Sequence, residues 1–372
     1  MKIKITRGRL SDALKRVSGI SDGRSLPILA NVKVTAQKEG LTLMTTNLDI
    51  TLSTSVKECD VLEEGETTVP MKKLEQIVSV LPSEEVEIYT DANERTRLVS
   101  GGVKMSVQGL PVKEFPALPA EKSPLVYGMK GAVLLQLLRK SAYAMSRDDT
   151  RKTLQSVLLE VTGDKVNAVG TDGRRLGYGE AECTPPANAP SEAIQFVVPA
   201  GAVSVLQRIV DGSSDITIKA EGGHFVVSQC DGRDVINTKL VDGYYPNYNH
   251  VIPKDGDVNV KVDRNEMLAM LSRSLVMASA SDPFVKMKFG NGTIETSATG
   301  DDDGKFHETI TATYDGKEFE LMFNPKYIMD SLKSFDSDVM FFNTAQENPH
   351  RPIMVKGEGE KGLSVIMPLR MA

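Results

Sequence analysis

Apolar positions along the chain recur with two periods that alternate in a fixed order. Spacings of three and four residues link Leu10, Ala13, Leu14 and Val17, then Leu134, Leu137, Leu138 and Ala142, then Leu268, Leu271 and Leu275. Each set falls on one face of an amphipathic helix. A second helix is predicted behind a proline in each case, at Pro70-Met71-Lys72, Pro199-Ala200-Gly201 and Pro325-Lys326-Tyr327. The fixed φ and missing N–H of proline suit the start of a helix. Between these helices the period drops to two, as in Leu41 and Leu43, in Ile50, Leu52, Thr54 and Val56, in Ile216 and Ile218, and in Phe225 and Val227. That alternation predicts half-buried strands. Asp172-Gly173, Asp231-Gly232, Asn291-Gly292 and Asp315-Gly316 supply hairpin turns between them.

The order strand, helix, strands, helix, strands occurs three times, starting near Lys2, Val126 and Val258. Such self-similarity signals a repeated structural unit. Each unit is α+β, with two helices and many antiparallel strands. Proline-rich and polar stretches, Leu118 to Pro124 and Ile252 to Gly256, have the composition of exposed linkers. The expected domains are therefore 1–123, 124–253 and 254–372.

Charge changes this picture. The chain carries 44 basic and 50 acidic residues, a net charge of −6, which alone suggests no nucleic-acid partner. The six helical segments, however, sum to +9, leaving −15 on everything else. If those helices share a surface, it is a cationic face on an acidic body, as a polyanion-binding protein requires. Lys15, Arg16, Lys72, Lys73, Arg139, Lys140, Arg208 and Arg273 are its candidate phosphate-facing residues. The competing reading is that they are solvated faces of ordinary surface helices. Aromatic residues make up only 5% and tryptophan is absent, so base stacking has little material to work with.

Chemistry is sparse. His224, His250, His307 and His350 show no metal-ligand spacing, and no G-x-S-x-G elbow occurs. Gly300-Asp301-Asp302-Asp303-Gly304-Lys305-Phe306 is one residue short of a phosphate loop, lacks its Ser or Thr, and lacks the acidic spacing of a calcium loop. An acidic hairpin tip is the expectation there, with no catalytic residue, metal or cofactor. Cys59, Cys183 and Cys230 form no C-x-x-C pair, which fits a reducing compartment. With no long apolar run and a charged, alternating start, neither a membrane span nor a signal peptide is expected, and the chain is expected in the cytoplasm. An enzyme on repeated domains and a monomeric peptide-binding scaffold remain as alternatives to a DNA-binding ring.

Four motifs in order then narrow the choice. They are Leu26-Pro27-Ile28-Leu29-Ala30-Asn31-Val32, Thr171-Asp172-Gly173-Arg174-Arg175-Leu176, the recurring Phe115-Pro116 and Tyr245-Pro246, and Val365-Ile366-Met367-Pro368-Leu369-Arg370. Over essentially its whole length the chain resembles the bacterial DNA polymerase III beta subunit, the sliding clamp family. The resemblance implies three clamp domains, each with two helices on an inner face and antiparallel sheets outside. It also implies a head-to-tail homodimer closed around duplex DNA, without catalytic activity or cofactor. The implied partners are the DNA polymerase III alpha subunit, the clamp loader, and other polymerases and repair proteins that carry clamp-binding peptides.

Carried over by position, the peptide groove comprises Leu154, Thr171, Gly173, Arg174, Arg175, Leu176, Pro246, Val251, Val365, Ile366, Met367, Pro368, Leu369 and Arg370. In it, Arg175 is expected to orient polar groups of the peptide. Arg24 is the implied DNA contact of the first domain and Arg147 its counterpart in the second. Met105 and Val107 are implied to meet Val276 and Met277 across the dimer. Asn249-His250 replaces a basic pair common in the family, and Met371-Ala372 departs from its usual end. Geometry agrees with a dimer: at about 9 Å between axes, six helices enclose only about 7 Å, whereas twelve enclose about 24 Å. A duplex body of about 20 Å needs the larger opening.

Overall fold

The computed structural model describes residues 1–117, 125–221, 223–253, 258–279, 281, 283–300, 304–314, 316–344 and 351–369. The linkers at 118–124 and 254–256, the acidic residues Asp301 to Asp303, Asp315, His350 and Arg370 lie outside them. The described chain forms two compact units.

The first unit comprises Met1–Ala132, Thr184–Ala189 and Arg208–Leu240. Its helices are α1 (Arg7–Val17) and α2 (Met71–Val80). The Thr6 side chain accepts the Arg9 N–H and caps α1, satisfying one of the donors that every helix start leaves open. The α1 stripe Leu10, Ala13, Leu14 and Val17 is buried as its spacing predicts, packed on α2 and on the strand Ile50–Val56. That strand and its neighbours form an eight-stranded antiparallel sheet. Its order is Val126–Lys130, Asp215–Glu221, His224–Gln229, Asp234–Lys239, Ile50–Val56, Gly40–Thr46, Asn31–Gln37 and Gly65–Pro70. A five-stranded sheet runs Asp60–Glu63, Lys2–Thr6, Glu85–Thr90, Arg95–Ser100 and Val103–Gln108.

The second unit comprises Val133–Cys183, Pro190–Gln207 and Val241–Ala372. It carries most of α3 (Gly131–Ala142) and α4 (Ala200–Ile209), with α5 (Arg264–Met277) and α6 (Pro325–Lys333). Its eight-stranded sheet runs Ile194–Pro199, Ser156–Thr162, Lys165–Thr171, Arg175–Glu182, Leu363–Ile366, Ile353–Gly357, Val339–Thr344 and Val258–Asp263. A four-stranded sheet runs Lys305–Thr311, Thr293–Thr299, Val285–Gly290 and Phe319–Phe323. The C-terminal half of α3 presses hard on the large sheet. A Cβ on Gly170 would sit 2.1 Å from the Ser141 carbonyl oxygen, and one on Gly177 2.4 Å from that of Lys140. Only glycine permits so close a backbone approach.

Three details differ from the periodicity. The buried face of α5 is Met267, Met270, Leu271 and Ser274, with Leu268 and Leu275 only partly covered. Methionine fills core space as readily as leucine, so the stripe lies one position from the leucine pattern. Pro70 and Pro199 end strands and the helix begins one residue later, whereas Pro325 is the first residue of α6. Finally, the compact units cut through 124–253. The strand Asp234–Lys239 pairs with Ile50–Val56, and Arg175–Glu182 pairs with Leu363–Ile366, so strands from this stretch complete sheets in both units.

Candidate binding groove and basic helix faces

The hairpin joining Lys165–Thr171 to Arg175–Glu182 turns through Asp172, Gly173 and Arg174. Thr171 Oγ1 donates to the Arg175 carbonyl at 2.7 Å and accepts the Gly173 N–H at 3.1 Å. Asp172 Oδ1 accepts the N–H groups of Arg174 and Arg175 at 2.8 and 3.0 Å. Gly173 has φ +86° with open space where a Cβ would stand, so it supplies the left-handed residue this turn requires. Met367 N–H donates to the Arg174 carbonyl at 2.9 Å, tying the C-terminal segment to the turn.

Beside this turn lies a cavity of about 160 Å3, lined by Leu154, Thr171, Gly173, Arg174, Arg175, Leu176, Pro246, Asn247, Tyr248, Val251, Val365 and Met367. Its floor is a buried cluster that includes Leu158, Val169, Leu176, Val197, Tyr245, Tyr248 and Val365. Val251 and Met367 form an apolar rim, 46% and 38% exposed. The tyrosines beneath are pinned by their hydroxyls: Tyr245 donates to the Val169 carbonyl at 3.2 Å and Tyr248 to Glu160 at 2.8 Å. Burial, reinforced for Tyr248 by Glu160, pushes both phenols above their ordinary range, so they stay protonated. A small apolar socket with a few fixed polar groups is what an extended peptide's anchor residue needs.

Ten of the expected groove residues line this cavity and three do not. Ile366 is 1% exposed and belongs to the core around Val260, Phe342 and Ile353. Along a strand, neighbours point to opposite faces, so Val365 faces the groove and Ile366 cannot. Pro368 and Leu369 lie beyond the lining; Leu369 N–H instead donates to the Met322 carbonyl at 2.7 Å. Asn247 and Tyr248 were not anticipated. Asn247 caps the short helical turn Tyr248–His250 by accepting the Asn249 N–H, and asparagine's preference for the N-cap position is the signal that could have marked it.

Arg175 also departs from expectation. Its side chain is 7% exposed and already committed: Nε donates to Asp172 at 3.1 Å and Nη1 to Asp330 at 2.7 Å. The guanidinium stands 4.6 Å from the Tyr327 ring and 5.7 Å from that of Tyr143. It braces the turn, while Arg174, which also lines the cavity, is exposed and forms no ion pair among the described residues.

The expected DNA-facing basic residues differ in their surroundings. Lys72, Lys73 and Arg147 are exposed and form no ion pair among the described residues. Lys15, Arg24, Arg139 and Arg273 are solvent-accessible but paired, with Asp12, Asp22, Asp336 and Glu308 respectively. Arg16 is half-buried, while the exposed Arg208 donates to the Ser18 carbonyl at 2.7 Å. Lys140 is a correction. At 2% exposure it faces no solvent; Nζ pairs with Glu360 at 2.6 Å and lies 4.7 Å from the Phe335 ring centre. The close approach of α3 to the sheet at Gly177 and Gly179 turns this position inward, so its charge serves the core. Of the expected dimer residues, Val276 is 81% exposed, Met105 and Met277 are half-buried, and Val107 is 9% exposed.

Comparison with known proteins decides the family. Models of the N-terminal, central and C-terminal domains of the DNA polymerase III beta subunit match residues 1–119, 128–247 and 249–370. The chain belongs to the DNA polymerase III beta subunit family. It is similar to the beta sliding clamp of Pseudomonas aeruginosa, 29% identical with both chains wholly covered, and to that of Escherichia coli K12, 28% identical over 90% of each. The crystal structure of the Pseudomonas aeruginosa DNA polymerase III subunit beta superposes with a TM-score of 0.94 at 27% identity, covering both chains completely. A Pseudomonas aeruginosa clamp bound to griselimycin superposes with a TM-score of 0.93. The fold is thus that of three clamp domains, and the protein is a processivity factor for DNA polymerase, not an enzyme. No helix among the described residues is long and apolar enough to cross a membrane.

Proposed function

We propose that two copies of this chain close head to tail into a cytoplasmic ring that encircles duplex DNA and slides on it. The three repeats 1–123, 124–253 and 254–372 then become six around the ring. The cavity under the Asp172-Gly173 turn holds short peptides of the DNA polymerase III alpha subunit, the clamp loader and other polymerases and repair proteins. The observation that carries this reading is that cavity: one apolar socket in which Thr171, Gly173 to Leu176, Val365 and Met367 meet Leu154, Pro246 to Tyr248 and Val251.

Lys15, Arg16, Arg24, Lys72, Lys73, Arg139, Arg147, Arg208 and Arg273 are proposed to face the duplex. Contacts to phosphate through mobile, hydrated side chains permit sliding, because they read no bases. Met105 and Val107 of one copy meet Val276 and Met277 of the other; the exposure of Val276 supports this, since a large apolar side chain left open suits an interface.

The test is loading. With a clamp loader the protein should be retained on nicked circular DNA as a dimer of about twice 40.5 kDa and released when the circle is linearised. Retention on linear DNA, or a single-chain mass, overturns the ring. A second expectation concerns the lining. Each phosphate contact contributes about 0.9 to the log–log salt dependence of DNA binding. The ring carries Lys72 and Lys73 twice, four lysines in all, so Lys72→Glu with Lys73→Glu should lower that slope by up to about 3.6 in a salt titration. An unchanged slope removes these lysines from the DNA face.

A further inference from the structure

Arg175 connects the groove to side chains of the second unit that do not line it. Its Nε holds Asp172 within the groove turn, while its Nη1 reaches Asp330 on α6 at 2.7 Å. The guanidinium is bracketed by the rings of Tyr327, also on α6, and Tyr143, just past α3. Tyr143 in turn shares a hydrogen bond with Ser364, the residue before groove-lining Val365. Asp330 and Tyr143 both line a separate cavity of about 410 Å3 among α3, α4 and α6, together with Arg139 and Lys333. Asp330 is absent from the lining of the groove. Its side chain keeps 37% of its exposure, that of Arg175 only 7%.

We infer that Asp330 is a positioning residue for the groove, acting through Arg175; the inference rests on the groove reading above. Arg175 has five donors in a rigid fork, and with one carboxylate at each end its orientation is over-determined. Without Asp330 the fork keeps a single carboxylate, Asp172, and the two rings, which fix no in-plane direction, let it swing about that bond. The turn then loses its fixed register. The displacement reaches the rim, because Arg174 accepts the Met367 N–H and Arg175 pairs with Ile366 in the strand ladder. A socket loosened in this way loses the preorganisation that lets a short peptide bind tightly.

The experiment measures binding of the purified DNA polymerase III alpha subunit to the full-length protein by surface plasmon resonance. Asp330→Asn should weaken binding about tenfold, mainly through faster dissociation, the range expected for a coupled polar pair. Asp330→Glu, which restores the carboxylate, should recover binding to within about threefold of the parent, a small residual loss of the same coupling. In an Arg175→Lys background, Asp330→Asn should add nothing, because the residue it acts through is already altered. Additive losses in that cycle, or parental binding by Asp330→Asn, overturn the inference. Val251→Asp, on the groove rim, separates the two levels. If it abolishes binding while Asp330→Asn does not, only the positioning role fails; if it too binds normally, the groove assignment itself fails.

Discussion

Replacing Lys140 by methionine should destabilise the second unit by about 3 kcal/mol, read by urea unfolding and by amide exchange along α3. Lys140 and Glu360 are 2% and 13% exposed and paired at 2.6 Å. Removing one member of a buried pair strands the other, at a cost of about 3–5 kcal/mol, and the lower figure applies because Glu360 retains some solvent. Glu360 Oε1 also accepts the N–H groups of Asp336 and Ser337 at 2.7 and 2.6 Å, which further limits the loss. Changing both partners, Lys140→Met with Glu360→Gln, should recover most of the stability, since no buried charge is then left.

The same pair predicts a pH dependence with a definite sign. Burial alone would raise the Glu360 carboxyl, but Lys140 and the two backbone amides outweigh it and hold it below the usual range. Its contribution is therefore present above the unfolded value of about 4.3 and lost as pH falls through the folded one. Without Lys140, burial is opposed only by the two backbone amides, and the folded value rises from its position in the parent. The deficit of Lys140→Met should then shrink as the solution is acidified toward pH 4, because protonation removes the stranded charge. A deficit that is constant from pH 8 to pH 4 would show that Glu360 is not the stranded group.

Lys140 also marks where sequence reading stops. Its neighbour Arg139 and Lys140 itself look alike as basic residues late in a helix. Their fates differ because one of the two must meet the sheet once Gly170 and Gly177 let α3 approach so closely. Helix spacing was legible because it is local: the stripes of α1 and α3 are set by residues three and four apart. Strand pairing is not local. Thr54 Oγ1 donates to Asp234 at 2.6 Å across 180 residues, and nothing in either strand's alternation names the other. The groove was legible through a motif, Thr171 to Leu176 with Val365 and Met367, because its turn chemistry is carried by short, characteristic residues. The motif could not show that strand alternation removes Ile366, or that Arg175 is already held by a carboxylate 155 residues away.

Val251→Asp should weaken binding of the alpha subunit at least about a hundredfold, roughly 2.7 kcal/mol. Val251 is nearly half exposed and lines the socket, so the unbound protein tolerates a charge there with water on one side. A bound peptide removes that water. The carboxylate would then face Leu176, Val365 and Met367, and taking a charge out of water among apolar groups costs several kcal/mol, a loss that the solvent-exposed Arg174 at the edge offsets only in part. Val251→Thr keeps the shape and adds only a hydroxyl, whose burial without a partner costs about 1–3 kcal/mol, so its loss should be smaller. Loading by the clamp loader should fall in step with alpha binding, because both partners are proposed to enter the same socket. The midpoint of thermal unfolding should move little, since surface substitutions away from the core usually change stability by no more than about 0.5 kcal/mol. Normal alpha affinity in Val251→Asp, with the fold intact, would remove the socket from partner recognition; loss of one partner and not the other would show that the two bind at different places.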